Sequence, residues 1–201
     1  MTMKKLILLT IILWAAFQME ARVMVQFGAG LDLNGKQSFS NAAFSEDSDV
    51  ETGASLYAEV LSSDQVGLGK LLLGLGLEYQ IPRELEDLSL DSHTRKFSYL
   101  PVYITGKYVL LPILLSPEII AQAGYNLPMS NDNYTHSAVN NLEVSGGFYW
   151  GLGAGISFKP FVIQAMYKSS KSTYDWEDVD FENLKTTSTN SQISLQLGIR
   201  L

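Results

Sequence analysis

The two histidines, His93 and His136, are the best candidates for acid-base chemistry in this chain. Ser137 follows His136 directly, and Glu143 lies further along the same polar stretch. A serine nucleophile needs a neighbouring base, and that base needs a third group to orient it. These residues could supply such a triad in a lipid-modifying enzyme, but their segment has no pattern that would hold them rigidly. We therefore predict that both histidines are solvated loop residues and that the chain has no catalytic site.

Metal and cofactor sites are expected to be absent for similar reasons. The chain contains no cysteine, which excludes disulfides and thiolate metal sites. The histidines and nearby acids do not show a spacing that is diagnostic of a metal site. Glycine pairs such as Gly28-Ala29-Gly30 resemble part of a nucleotide-binding loop, but none completes that motif or precedes a helix. The sequence thus predicts neither a metal nor a cofactor.

Two acidic clusters lie in long polar segments, within residues 46–51 and 175–182. One interpretation is a solvated rim that resists aggregation. Another is contact with a host surface, or bridging by divalent cations to lipopolysaccharide, because oxygen ligands suit calcium and magnesium. Tyr174 and Trp176 in the second cluster could anchor such a contact. Both interpretations remain open at this point.

The start of the chain has the pattern of a cleavable signal peptide. Lys4 and Lys5 precede an apolar run from Leu6 to Phe17, and Ala21 is the predicted cleavage residue. This run is shorter than the ~20 residues that a membrane-spanning helix needs. We predict a signal peptide at residues 1–21 and one exported domain at 22–201. Loss of two lysines and one glutamate with the peptide leaves 12 basic and 20 acidic residues, a net charge of −8, which argues against a nucleic-acid partner.

The exported part contains eight segments in which apolar and polar or small residues alternate. In the last of them, Ile193, Leu195 and Leu197 fall on one face and Gln192, Ser194 and Gln196 on the other. Such alternation indicates strands with two different faces. The eight segments are Val23–Leu33, Thr52–Leu61, Leu68–Gln80, Phe97–Tyr108, Glu118–Leu127, Phe148–Phe158, Phe161–Ser170 and 189–201.

The connections between these segments alternate in length. The long ones span residues 34–51, 81–96, 128–143 and 171–188, whereas the short ones span 62–67, 109–117 and 159–160. Long loops at one end and short turns with both termini at the other are typical of outer-membrane barrels. The pattern predicts an all-β fold, an eight-stranded antiparallel up-and-down transmembrane β-barrel.

Aromatic residues on the predicted outer face gather near the strand ends. Amphipathic rings prefer the two membrane–water interfaces, so we predict two aromatic belts. The belt residues are Tyr79, Tyr125, Phe148, Trp150 and Tyr167 near the long loops, and Tyr108, Phe158 and Phe161 near the turns.

Charged residues on the predicted inner face should pair, because an isolated buried charge is costly. Near the turns these residues are Glu59, Lys70, Lys107, Glu118 and Arg200, and near the loops they are Glu78 and Lys168. Arg200 could make forked contacts to a carboxylate and fasten the closing seam of the barrel. The alternative is that these groups simply face water at the barrel mouths.

With segments such as Leu73–Gln80, Gly146–Phe158 and the terminal strand, residues 22–201 resemble the small outer-membrane β-barrel family that includes outer membrane protein X and the opacity-type adhesins. The resemblance implies location in the lipid bilayer of the cell outer membrane and folding by the barrel-assembly machinery through the C-terminal strand. The chain ends in Leu201, where such barrels usually end in phenylalanine.

We expect a monomer with a side-chain-filled lumen that serves as a structural or surface-interaction (adhesin-like) protein. One alternative is a narrow porin-like pore, and a second alternative is a lipid-modifying enzyme that would use His136.

Overall fold

The computed structural model is all-β and describes residues 22–40, 45–82, 98–111, 114–129, 141–177 and 184–201. The predicted signal peptide, His93 and His136 lie outside the described residues. Within the described ranges no helix is long and apolar enough to cross a membrane. The nine strands are β1 (Arg22–Ser40), β2 (Ser45–Val50), β3 (Gly53–Val66), β4 (Gly69–Gln80), β5 (Ser98–Val109), β6 (Ser116–Met129), β7 (Asn141–Phe158), β8 (Phe161–Glu177) and β9 (Leu184–Arg200).

Eight of these strands form a closed antiparallel barrel. Each wall strand pairs with its neighbours in the order β1-β3-β4-β5-β6-β7-β8-β9, and pairing of β1 with β9 closes the sheet. The remaining strand, β2, pairs with the part of β1 beyond the β1–β3 ladder, so β2 and β3 follow one another along the same edge of β1. The predicted fold class is thereby confirmed.

The alternation in sequence gives the barrel an apolar outside and a mostly polar inside. On β3, for example, Leu56, Ala58 and Val60 are exposed on the outer face, whereas Tyr57 and Glu59 are buried. Successive side chains of a strand point to opposite faces, so one wall can meet lipid and line a lumen at once. This arrangement is the reverse of a soluble barrel, whose apolar residues would point inward.

We call the end where β1 begins, β9 ends and the short turns lie the turn end, and the opposite end the loop end. At the loop end the strands run further than the sequence predicted. Residues 34–51 and 171–188 were expected to be loops, but β1 continues to Ser40, β2 follows, and β8 and β9 pair as far as Trp176 and Leu184. That expectation was wrong because alternation in hydropathy marks the part of a strand that meets lipid, and a polar strand can continue beyond it.

Two local irregularities let the strands turn and bend. Gly67 has φ 61° at the first central position of the two-residue turn between β3 and β4, a place where glycine is favoured. Asn34 has φ 49° where the β1–β9 register shifts between Leu33 and Lys36. Asparagine tolerates this left-handed backbone better than most residues. The bulge lies where β1 passes from the part that faces lipid to its polar extension.

Candidate functional site

The lumen collects most of the buried polar side chains of the described barrel, and it is therefore the candidate functional site. Glu59 on β3 lies at the centre of its main network. The Lys107 ammonium, on β5, donates to one Glu59 carboxylate oxygen at 2.5 Å, and Tyr103 and Gln122 donate to the other at 3.4 and 3.2 Å. The Lys107 side chain is 0% exposed and that of Glu59 1%. A carboxylate with three donors, one of them a cation, can stay buried, because its lost hydration is replaced.

A second ion pair connects the last strand, β9, with β6 across the lumen. Both terminal nitrogens of Arg200, on β9, contact the carboxylate of Glu118, on β6, at 3.0 Å. The Arg200 Nε also donates to Gln26 Oε1 at 2.8 Å, and Gln26 accepts from Lys107 at 3.1 Å. The two ion pairs are thus linked through Gln26 on β1. The fork of Arg200 reaches across the lumen to β6, and only its Nε bonds to β1 across the β1–β9 seam. The seam-closing role of Arg200 stays a prediction.

A third ion pair lies closer to the loop end. The Lys168 ammonium, on β8, donates to the Glu78 carboxylate, on β4, at 2.6 Å, and to Ser194 Oγ at 3.1 Å. Gln196 and Gln80 also donate to Glu78. Since β4 and β8 are four steps apart around the eight-stranded wall, this pair connects opposite sides of the barrel.

The structure thus brings six of the seven predicted lumen charges into three ion pairs. Lys70 takes part in none of these three, and it lies half-buried beside the turn between β3 and β4. Its inward position follows from alternation, but it is too close to the barrel end to be enclosed by the other strands.

Two sets of contacts inside the lumen were not predicted from sequence, although the alternation does place Tyr103 and Tyr149 on the inner face. Leu61, Leu72 and Val109 form a buried apolar cluster at the turn end of the lumen, with Met24 packed against it. Deeper inside, the rings of Tyr103 and Tyr149 lie 5.5 Å apart, and Tyr149 donates to Gln122 at 2.9 Å. The inward positions of Leu61, Leu72 and Met24 could have been derived from the alternation, but their contact depends on how neighbouring strands are staggered.

The predicted belt residues all lie on the outer face of the described wall. Near the loop end, Trp150 and Tyr167 have ring centroids 5.6 Å apart, and the Tyr125 hydroxyl donates to the backbone oxygen of Gly146 at 2.7 Å. Near the turn end, Phe158 and Phe161 flank one turn with centroids 5.6 Å apart. The remaining belt residues, Tyr79, Phe148 and Tyr108, are half-buried or exposed on the same surface.

The acidic clusters are only partly within the described structure. Asp47, Asp49 and Glu51 are exposed at the loop end, on β2 and just after it. The structure does not describe the acidic side chains of residues 175–182. The described residues contain no group of three or more His, Asp or Glu side chains that could hold a metal ion.

A glycine at the barrel seam makes room for a lumen tyrosine. Gly198 on β9 pairs with Gly28 on β1, and a Cβ at Gly198 would overlap the hydroxyl of the buried Tyr57. We expect Gly198→Ala to lower the free energy of unfolding by about 1–3 kcal/mol, the usual cost of overpacking. The matched control is Gly106→Ala, where the nearest atom to the new Cβ is Leu73 Cδ2 at 3.5 Å. Equal urea-unfolding midpoints of the two variants in lipid vesicles would contradict this account.

One similar solved structure supports the fold. No family model matches the sequence, and no curated protein is significantly similar to it. Among solved structures, the outer membrane protein AlkL, determined in DMPC lipid bilayers, matches with a TM-score of 0.57 at 12% identity over 90% of each chain. Neisserial surface protein A has a TM-score of 0.45 at 12% identity, with 90% of this chain and 99% of that chain covered. A major outer membrane protein of Thermus thermophilus has a TM-score of 0.46 at 12% identity, with 90% and 100% covered.

The closed wall, its apolar outer face and the AlkL likeness agree with the predicted location in an outer membrane. The chain is therefore a transmembrane β-barrel with the fold of the small eight-stranded outer-membrane proteins.

Proposed function

We propose that this protein is a monomeric structural and surface-interaction protein, in which the barrel anchors a surface outside the membrane and serves neither solute passage nor catalysis. The observation that carries this proposal is the filled lumen. An eight-stranded barrel has an interior just wide enough for side chains. Here Tyr103, Tyr149 and Lys107, all fully buried, occupy its middle, and Leu61 and Leu72 occupy its turn end.

The surface that the barrel would present is the extension of its strands at the loop end. The β6–β7 ladder ends at Asn126 and Gly147, but β7 continues to pair with β8 as far as Asn141 and Glu177. β1 likewise continues between β2 and β9 to Ser40. A sheet thus projects beyond the wall on one side of the barrel, and it consists of strands β7, β8, β9, β1 and β2. Lipopolysaccharide or a host-cell surface would contact this sheet and its acidic residues.

The C-terminal strand supports the proposed folding route. Val25 and Leu201 exchange backbone hydrogen bonds at 3.1 and 2.9 Å, so the pairing of β9 with β1 extends to the last residue. In the proposed route, the barrel-assembly machinery binds this strand before β1 replaces it. The terminal leucine offers an apolar side chain at the position where phenylalanine is usual.

Planar-bilayer recordings test the closed lumen. We expect no stable conductance steps from the wild-type protein, and measurable steps from Tyr103→Ala/Leu72→Ala, which removes one buried side chain from each of two lumen layers. The matched control is Tyr125→Ala/Leu73→Ala, which removes the same two residue types from the outer face. Stable wild-type steps would favour the narrow porin-like pore instead. Steps from the outer-face control but not from the lumen variant would show that side-chain filling does not close the barrel.

A further inference from the structure

Two of the short turns expose a group of large aliphatic side chains. Leu114 is 88% exposed and Leu68 is 83% exposed, and the other four members are also exposed. We call this group the apolar turn surface. It consists of Val66, Leu68, Leu110, Leu111, Leu114 and Leu115.

The two turns lie side by side, so these residues belong to one patch. β4 begins just after Leu68, β5 ends just before Leu110, and the β4–β5 ladder pairs Lys70 with Val109. The Tyr108 hydroxyl donates to the backbone oxygen of Val66 at 3.2 Å and so links the turns directly. The second turn is closed by the Leu110 amide, which donates to the Pro117 carbonyl at 2.9 Å.

The part of the patch on the second turn continues the lipid-facing wall without a charged boundary, whereas the exposed Asp64 lies on β3 between Val60 and Val66 of the first turn. Leu73 on β4 and Ile119 on β6 are exposed on the outer face directly above it, and residues 108–117 contain no charged side chain. The third turn differs, because the exposed Lys159 and Pro160 separate Phe158 from Phe161 there. The apolar outer surface therefore reaches beyond the strands without a break where β5 and β6 meet, is interrupted by Asp64 on β3, and stops at a lysine on the β7–β8 side.

We propose that the apolar turn surface inserts into the leaflet at the turn end, the periplasmic leaflet in the usual barrel orientation. A large exposed apolar patch marks a membrane or protein contact. Continuity with the lipid-facing wall favours lipid, and so does its aliphatic composition, since protein hot spots favour tryptophan, tyrosine and arginine. The turns act as an aliphatic anchor on one side of the barrel. The longer apolar height on that side should tilt the barrel or thicken the local bilayer, as hydrophobic mismatch requires.

Single-cysteine spin labelling tests this placement, and the absence of native cysteine means that no background label forms. The full chain would carry Leu114→Cys or Leu68→Cys, each labelled with a nitroxide and folded in dimyristoylphosphatidylcholine vesicles. Power saturation then compares collisions with oxygen, which partitions into acyl chains, and with a water-soluble nickel chelate. Leu75→Cys in the middle of the outer wall is the lipid reference, and Lys159→Cys in the third turn is the water reference.

We expect labels at Leu114 and Leu68 to show the high oxygen-to-nickel ratio of the Leu75 label. The Lys159 label should show the low ratio. If both turn labels match Lys159, the patch is not covered by lipid and the proposal is overturned in favour of a protein partner. A folded-barrel gel shift for each labelled variant confirms that the comparison is made on native protein. A low ratio at only one of the two turn labels would also overturn the insertion of the two turns as one surface.

Discussion

Replacing Glu59 with leucine is expected to lower the free energy of unfolding by about 3–5 kcal/mol, the usual cost of breaking a buried ion pair from one side. The variant removes the carboxylate that accepts from Lys107, Tyr103 and Gln122. Lys107 would keep only its bond to Gln26 while its side chain stays 0% exposed. Urea unfolding in lipid vesicles, followed by loss of the folded-barrel gel mobility, measures the effect.

A second substitution separates the ion pair from general packing damage. Glu59→Leu/Lys107→Met removes both charges and should recover much of the lost stability, because a buried pair replaced by apolar groups is often close to neutral. The double-mutant cycle then gives the coupling between the two residues. If the double variant is as unstable as Glu59→Leu, the loss comes from altered packing in the lumen, and the ion pair has no special role.

Arg200→Leu is expected to have the second-largest effect, a decrease in the free energy of unfolding that approaches the same range of about 3–5 kcal/mol. It strips Glu118 of both guanidinium contacts and leaves that carboxylate, 0% exposed, with the amide of Gln164 at 2.6 Å. Arg200 is 10% exposed, so water can replace part of the lost contact, and the effect should be smaller than that of Glu59→Leu. Folded-barrel yield and the temperature at which gel mobility is lost should both fall.

Arg200→Lys is the informative control, because lysine keeps the charge but cannot make the two parallel bonds of a guanidinium. We expect the folded-barrel yield and heat stability of Arg200→Lys to lie between those of wild type and those of Arg200→Leu. Unchanged yield and heat stability in Arg200→Leu would refute the seam-closing role. Equal behaviour of the lysine and leucine variants would assign the effect to the forked geometry and not to charge.

Alternation along the chain is enough to predict which side of the wall each residue occupies. A period of two is a property of the strand backbone, so Val60 must face away from Glu59 once a strand forms, whatever the rest of the fold does. The same reasoning placed Lys107, Glu118 and Arg200 inside and Tyr125 and Phe161 outside. It also predicted the number of wall strands, since each alternating segment has about the length that crosses a bilayer.

The strand bounds at the loop end could not be obtained in the same way. Beyond the lipid a strand needs no apolar face, and Thr187 and Ser188 were predicted to lie in a loop although they pair with both β1 and β8. Hydrogen bonding to neighbouring strands, which is a long-range property, stabilises these extensions and the additional strand β2.

Which charges meet depends, in contrast, on the closed barrel. Glu59 pairs across to β5, Glu118 to β9 and Glu78 to β8, and none of these strand pairs is adjacent in the wall. Such contacts depend on the tilt and stagger that closure of eight strands imposes. The same stagger brings Leu61, Leu72 and Val109 together at the turn end and leaves Lys70 outside the three ion pairs. Alternation determines whether a side chain points inward or outward. Its partner depends on which residues of the other strands lie at the same height in the barrel.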